Sequence, residues 1–145
     1  MSAVPFTLAP RSEQLAGGSE MHIVKTSVVG VASLDDRGLR LQFRTIEEFQ
    51  RRRGGRYEQG ADESDVRELL ITLQALRAVR VAGPWWRPRL EIAAADLRAL
   101  DGFPRGAAGE VSLRIRRRDR TDARELASDV EYALASRLLS PPELG

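Results

Sequence analysis

Two stretches of the chain alternate apolar and polar residues with a strict period of two. Leu39, Leu41 and Phe43 alternate with Arg40, Gln42 and Arg44, and Val111, Leu113 and Ile115 alternate with Ser112, Arg114 and Arg116. Successive side chains of a strand point to opposite faces, so each stretch reads as a strand with one face in a core and the other in water. A parallel sheet covered on both faces does not fit that pattern, whereas an antiparallel or mixed sheet covered on one face does. The Val, Ile, Thr and Ser content of the segment from His22 to Leu34 predicts a third strand. It is joined to the strand 39–44 by the turn Asp35-Asp36-Arg37-Gly38, with Gly38 expected in the left-handed region. Arg89 to Ala93 predicts a fourth, with Leu90 and Ile92 on one face.

Helical signals lie between and after these strands. Val66, Leu69, Leu70, Leu73 and Leu76 fall on one stripe at the 3.6 period behind Asp62, Glu63 and Asp65, which predicts a main helix over about 62–76. Asp122 and Glu125 form a capping box ahead of the stripe Leu126, Val130, Ala133, Leu134 and Leu138, which predicts a second. Shorter helices are expected from the box Thr45/Glu48 as far as Gly54-Gly55, and over Ala94 to Leu100, while Val79 and Val81 fit either a helix end or a short strand. The expected fold is therefore α+β: a two-layer sandwich of a small antiparallel or mixed sheet with two main helices on one face. Residues 1–20, with two prolines and Gly17-Gly18, read as a flexible N-terminal arm. Residues 21–141 read as a single domain, and 142–145 as a tail.

The chain has 145 residues, 42% of them hydrophobic and 30% charged, which suits one globular domain. It has no cysteine, which excludes disulfides and thiolate chemistry, and no GxGxxG or GxxxxGK[ST] phosphate loop. The one histidine, His22, stands beside no nucleophile motif and reads as a surface residue. Asp35-Asp36 and the group Asp62, Glu63, Asp65 sit where a turn and a helix start want them on local grounds. No catalytic residue, metal ligand or cofactor is expected. No apolar run reaches membrane-spanning length and no secretory signal is visible, so a cytoplasmic location without membrane partners is expected.

Lys plus Arg number 23 against 21 acids, and every basic residue except Lys25 is arginine. The ordinary reading of that bias is codon usage in a GC-rich bacterial genome, and that of Arg51-Arg52-Arg53 is the last turn of a helix, whose negative end they suit. Arg114, Arg116 and Arg118 have more to offer. On a strand they would lie about 6.7 Å apart, and Arg40 and Arg44 would join them if their strand shares the sheet. The ordinary reading is a solvated, ion-paired sheet face. Trp85-Trp86-Arg87-Pro88-Arg89 holds both tryptophans and two arginines, the composition of interface hot spots; its ordinary reading is one ring in the core and one on the surface. The candidate contact residues are thus Arg40, Arg44, Trp85, Trp86, Arg87, Arg89, Arg114, Arg116 and Arg118. Segregation of charge, with four acids against two arginines over 121–139, points first to a non-enzymatic protein-interaction or assembly module. A protein partner or self-association as a homo-oligomer is expected ahead of nucleic acid. The alternative is a nucleic-acid-binding protein using the arginine face, and an enzyme with a site invisible in sequence stands third.

Overall fold

A computed structural model describes residues 3–17, 20–104 and 108–139 of the chain. They form eight strands and one long helix, so the two-layer sandwich with two main helices is overturned. The strands are β1 (Ala3–Gly17), β2 (Glu20–Leu34), β3 (Gly38–Arg53), β4 (Arg56–Glu63), β5 (Arg67–Thr72), β6 (Leu76–Ala82), β7 (Arg89–Ala94) and β8 (Glu110–Arg114). A 3-10 turn, Arg117–Asp119, leads into α1 (Arg120–Leu139). All strand pairs are antiparallel, in the order β4-β3-β2-β1-β8-β7-β6, with β5 succeeding β4 along β3.

The expected strands at 22–34, 39–44, 89–93 and 111–115 are present, and so is the C-terminal helix. That helix begins at Arg120, so Asp122 lies within its first turn rather than capping it; the expected stop at Ser140 to Pro142 lies outside the described residues. The main helix expected over 62–76 is instead the end of β4, all of β5 and the start of β6. Ile71 and Leu69 of β5 pair with Leu39 and Leu41 of β3, and a turn closed by Ala75 N–H donating to the Thr72 carbonyl places Leu76 in the core on the next strand. Apolar residues of two strands and the turn between them thus imitate a helical stripe, and strand pairing overrides the helix-forming leucines. The helix expected after Thr45 is the far half of β3. Gly54-Gly55, read as its stop, is the two-residue turn of a hairpin, with φ of +53° and +83°. Ala95 to Phe103 form successive turns rather than a helix.

The flexible arm is also overturned. Residues 3–17 form β1, which lies inside the sheet between β2 and β8 and sends Val4, Phe6 and Leu8 into the core. The tail 142–145 lies outside the described residues. Asp35 to Gly38 turns as expected: the Asp35 carboxylate accepts from the N–H groups of Arg37 (2.8 Å) and Gly38 (3.2 Å). Gly38 has φ +154° rather than a left-handed helical value. A Cβ there would meet the Ile71 carbonyl oxygen of β5 at 2.1 Å, so close strand approach demands glycine.

One core joins both wings of the sheet. α1 lies against β6 at one end of the strand order and against β1 and β2 near its middle, so the sheet wraps around the helix stripe Ala123, Leu126 and Val130. The β7–β8 connection covers the rest: Leu100 is fully buried, and the Phe103 ring stands 4.8 Å from Phe43 and 5.9 Å from Phe6. No helix among the described residues is long and apolar enough to cross a membrane.

Candidate functional site: an arginine and tryptophan groove

Strand β8 buries Val111, Leu113 and Ile115 and turns Ser112, Arg114 and Arg116 to solvent, as its alternation dictates. In β7, Leu90 and Ile92 face the core, while Arg89 faces out directly opposite Arg114. Past the ladder the Ile115 N–H still donates to the Pro88 carbonyl (3.1 Å), which brings Arg87 level with Arg116. Two rows of opposed arginines therefore occupy one end of the β7–β8 outer face. Like charges directly opposed across antiparallel strands destabilise a sheet.

The tryptophans enter from the β6–β7 connection. Gly83, with φ +83°, turns the chain, and the Arg87 N–H donates to the Pro84 carbonyl at 3.0 Å. Trp85 and Trp86 are thereby the two central residues of a β-turn, positions usually filled by Gly, Asn, Asp or Ser. Neither ring enters the core: they remain 57% and 56% exposed and meet edge to face at 5.9 Å. The guanidinium of Arg117 lies 5.4 Å above the Trp85 ring, within cation–π range.

Trp86 and the arginines line a groove of about 730 Å³, in the range of ligand-sized clefts, with Trp85 beside it. Its walls carry Trp86, Arg87, Arg89, Arg114, Arg116 and Arg117, and no carboxylate. Arg89 has a long ion pair with Glu91 (3.7 Å), but Glu91 is held more closely by Arg80 (2.7 Å). Among the described residues Arg87, Arg114, Arg116 and Arg117 make no ion pair. Further along the same wing the arginines are matched by acids instead, with Arg77 on Glu110 at 3.0 Å. On its other flank the groove reaches Ala9, where β1 takes a bulge between Leu8 and Arg11 just after pairing with β8 at Thr7. A bulge re-aims its strand, and here it falls where β1 parts from β8.

Of the nine candidate residues, the structure gathers Trp85, Trp86, Arg87, Arg89, Arg114 and Arg116. Arg40 and Arg44 share the outer surface of the sheet but are neutralised, Arg40 by Asp35 (2.6 Å) and Glu68 (2.8 Å), and Arg44 by Glu63 (3.1 Å). Arg44 lies across β2 and β1 from Arg114, three strand spacings or about 14 Å away. Arg118 does not continue the alternation, because the backbone turns into the 3-10 segment at Arg117. That same turn swings Arg117 into the groove, a residue that period-two reasoning assigns to the inner face.

Among the described residues no cluster of His, Cys, Asp or Glu is arranged to hold a metal ion. His22 is half-buried and meets the Phe49 ring edge-on at 6.5 Å. The chemistry available to the groove is multidentate recognition of anionic oxygens beside flat aromatic surface. The chain matches no family model, no curated protein and no solved structure with which it was compared.

Proposed function

We propose that this protein is a non-catalytic interaction module that receives an acidic stretch of a protein partner in the groove at the β7–β8 end of its sheet. One observation carries the reading: five arginines converge on a groove without a carboxylate, beside two tryptophans on a turn that local conformation does not explain. Guanidinium forks suit carboxylates bidentately, and half-exposed tryptophans supply the apolar anchors that dominate interface energetics. The opposed arginines destabilise the isolated sheet, and a carboxylate between them converts repulsion into two attractions.

The chain's only tryptophans are the two at this site, so intrinsic fluorescence reports on it directly. Titration with a short polyglutamate peptide at about 50 mM salt is expected to shift or quench the emission, with weaker binding at about 200 mM as screening grows. The variant R114Q/R116Q/R117Q is expected to remove the response while keeping the fold. An unchanged spectrum for the native chain at the lower salt rejects the reading.

A second reading, single-stranded nucleic acid, draws support from Trp86 standing within the arginine rows, since single-strand binders pair basic grooves with stacking rings. The same titration with an oligonucleotide orders the two. Tighter binding of the oligonucleotide than of the peptide, with a salt slope of about 0.7 per phosphate contact, promotes the second reading over the first.

A further inference from the structure

Strand β2 is apolar on both of its faces. Val28, Ala32 and Leu34 turn into the core, while Val29 and Val31 turn outward between Ser27 and Ser33. A strand of that kind is usual where both faces are covered, yet Val29 remains 37% exposed. The register carries these valines to the arginine groove. Across the outer face, one row runs Val29, Thr7, Arg114, Arg89. The next runs Val31, Pro5 and then, past the ends of the ladders, Arg116 and Arg87. Each row is aliphatic on β2, uncharged on β1 and basic on the β8–β7 side.

Pro5, Thr7 and Val29 line a second hollow, of about 220 Å³, whose opposite rim is Arg114 and Arg116. Those two arginines, with Ile115 between them, also line the groove, so the hollow and the groove adjoin along β8. Among the described residues no carboxylate lines either one. A ligand held by the guanidinium groups therefore has an aliphatic surface within reach on β1 and β2.

Taking the groove as the receiver of a partner's acidic residues, we infer that the partner segment also carries an aliphatic side chain three residues from its acid, and that the hollow beside Val29 takes it. The spacing follows from the sheet. An acid clamped between Arg114 and Arg89 sits on the midline of β8 and β7, and a side chain resting on Thr7 and Val29 sits on the midline of β1 and β2. These midlines are two strand spacings, about 10 Å, apart. A polyproline II segment rises about 3.1 Å per residue and turns once in three, so its residues i and i+3 face the same way about 9 Å apart. A β-strand would point residue i+3 to the opposite face, and neighbours on a helix surface stand only about 5–6 Å apart. The segment that fits both sites is therefore extended in the polyproline II form, acidic where it meets the arginines and aliphatic where it meets β2.

Trp86 lines the groove, so tryptophan emission reads peptide affinity directly. Three peptides sharing a run of four glutamates in a serine background provide the test, at about 50 and 200 mM salt. One has leucines three residues outside the run on either side, one has leucines immediately beside it, and one has none. The first is expected to bind about tenfold more tightly than the third, as partial burial of one leucine side chain implies. The second is expected to match the third. The ratio of first to third should hold at both salt concentrations, because screening acts on charge and not on apolar burial. Val29→Gln puts a polar amide in the hollow and is expected to abolish the gain, whereas Thr7→Val adds apolar surface and is expected to enlarge it. Taking the ratio within each protein cancels any general loss of affinity, and if Val29→Gln binds no peptide, Thr7→Val decides. A native chain that binds polyglutamate yet gains nothing from the leucines overturns the inference alone. So does a gain equal for both leucine positions, one that survives Val29→Gln, or one unchanged by Thr7→Val. A native chain that binds neither polyglutamate nor any of the three peptides overturns the acidic-partner reading as well.

Discussion

Replacing Arg114 with glutamate is expected to stabilise the isolated protein while removing its ligand affinity. Arg114 stands directly opposite Arg89 on the outer face, with no carboxylate of its own. Cross-strand charge pairs contribute roughly 0.2–1 kcal/mol when opposite in sign and cost a similar amount when alike. The Arg89 side chain is 51% exposed, so solvent screening holds the contribution to the lower part of that range. Changing repulsion to attraction is thus worth about 0.5–1 kcal/mol, reduced slightly because Glu is a poorer strand residue. For a chain of this size that raises Tm by about 2–4 °C. Thermal melts at low and high salt provide the assay. The gain should shrink at high salt, and Arg114→Gln, which removes the repulsion without adding an attraction, should fall between the two. Loss of stability by Arg114→Glu at low salt refutes the reasoning, because it would mean that the guanidinium holds the fold together. A charged row that weakens the free protein is the trade expected where a surface is arranged for a ligand.

Phe6→Ala should cost about 3–5 kcal/mol in a denaturant titration, because the ring is buried against Phe103 and the change leaves a cavity; a neutral result would restore the flexible arm. Gly30→Ala should destabilise by about 1–3 kcal/mol or prevent folding, since its Cβ would meet the Gln42 carbonyl oxygen at 2.3 Å and the Phe6 ring at 2.6 Å. A melt matching the native chain would contradict that close approach of β2 to β3. The Arg37 N–H, with the Gly38 N–H and the charge of Arg40 adding to it, holds the Asp35 carboxyl below the ordinary aspartate value. A lowered folded value stabilises the protein above the unfolded pKa and is lost as pH falls through the folded one, so the advantage of the native chain over Asp35→Asn should fade below about pH 4. A difference in Tm that stays constant from neutral pH into acid would show that the charge on Asp35 contributes nothing.

What was legible in the sequence were the elements whose pattern is local. The alternations at 39–44 and 111–115 fix which side chains face water, and the stripe Leu126, Val130 forms the buried side of α1 as its period requires. The turn at Asp35 is likewise written in a carboxylate that folds back on its own backbone. The Gly54-Gly55 pair was just as local a signal, since a hairpin turn with two positive φ values suits it better than a helix stop does. In the candidate site, local composition singled out the tryptophans and most of the arginines.

The tertiary structure decided the rest, because long-range pairing competes with local preference and wins when it buries more. Val4, Phe6 and Leu8 do alternate with Pro5 and Thr7 at a strand's period, a short signal masked by the flanking prolines, and it is β2 and β8 on either side that make them core. Leu69, Leu70 and Leu76 favour a helix in isolation, but β3 offers the first two a partner strand and β7 offers one to the third. Charge neutralisation is equally non-local. Arg40 and Arg114 occupy equivalent places on half-buried strands, and only the approach of Asp35 and Glu68 to one of them separates a paired surface arginine from a groove arginine. A sequence sets which face each side chain takes, while the neighbours it meets there depend on contacts between segments far apart in the chain.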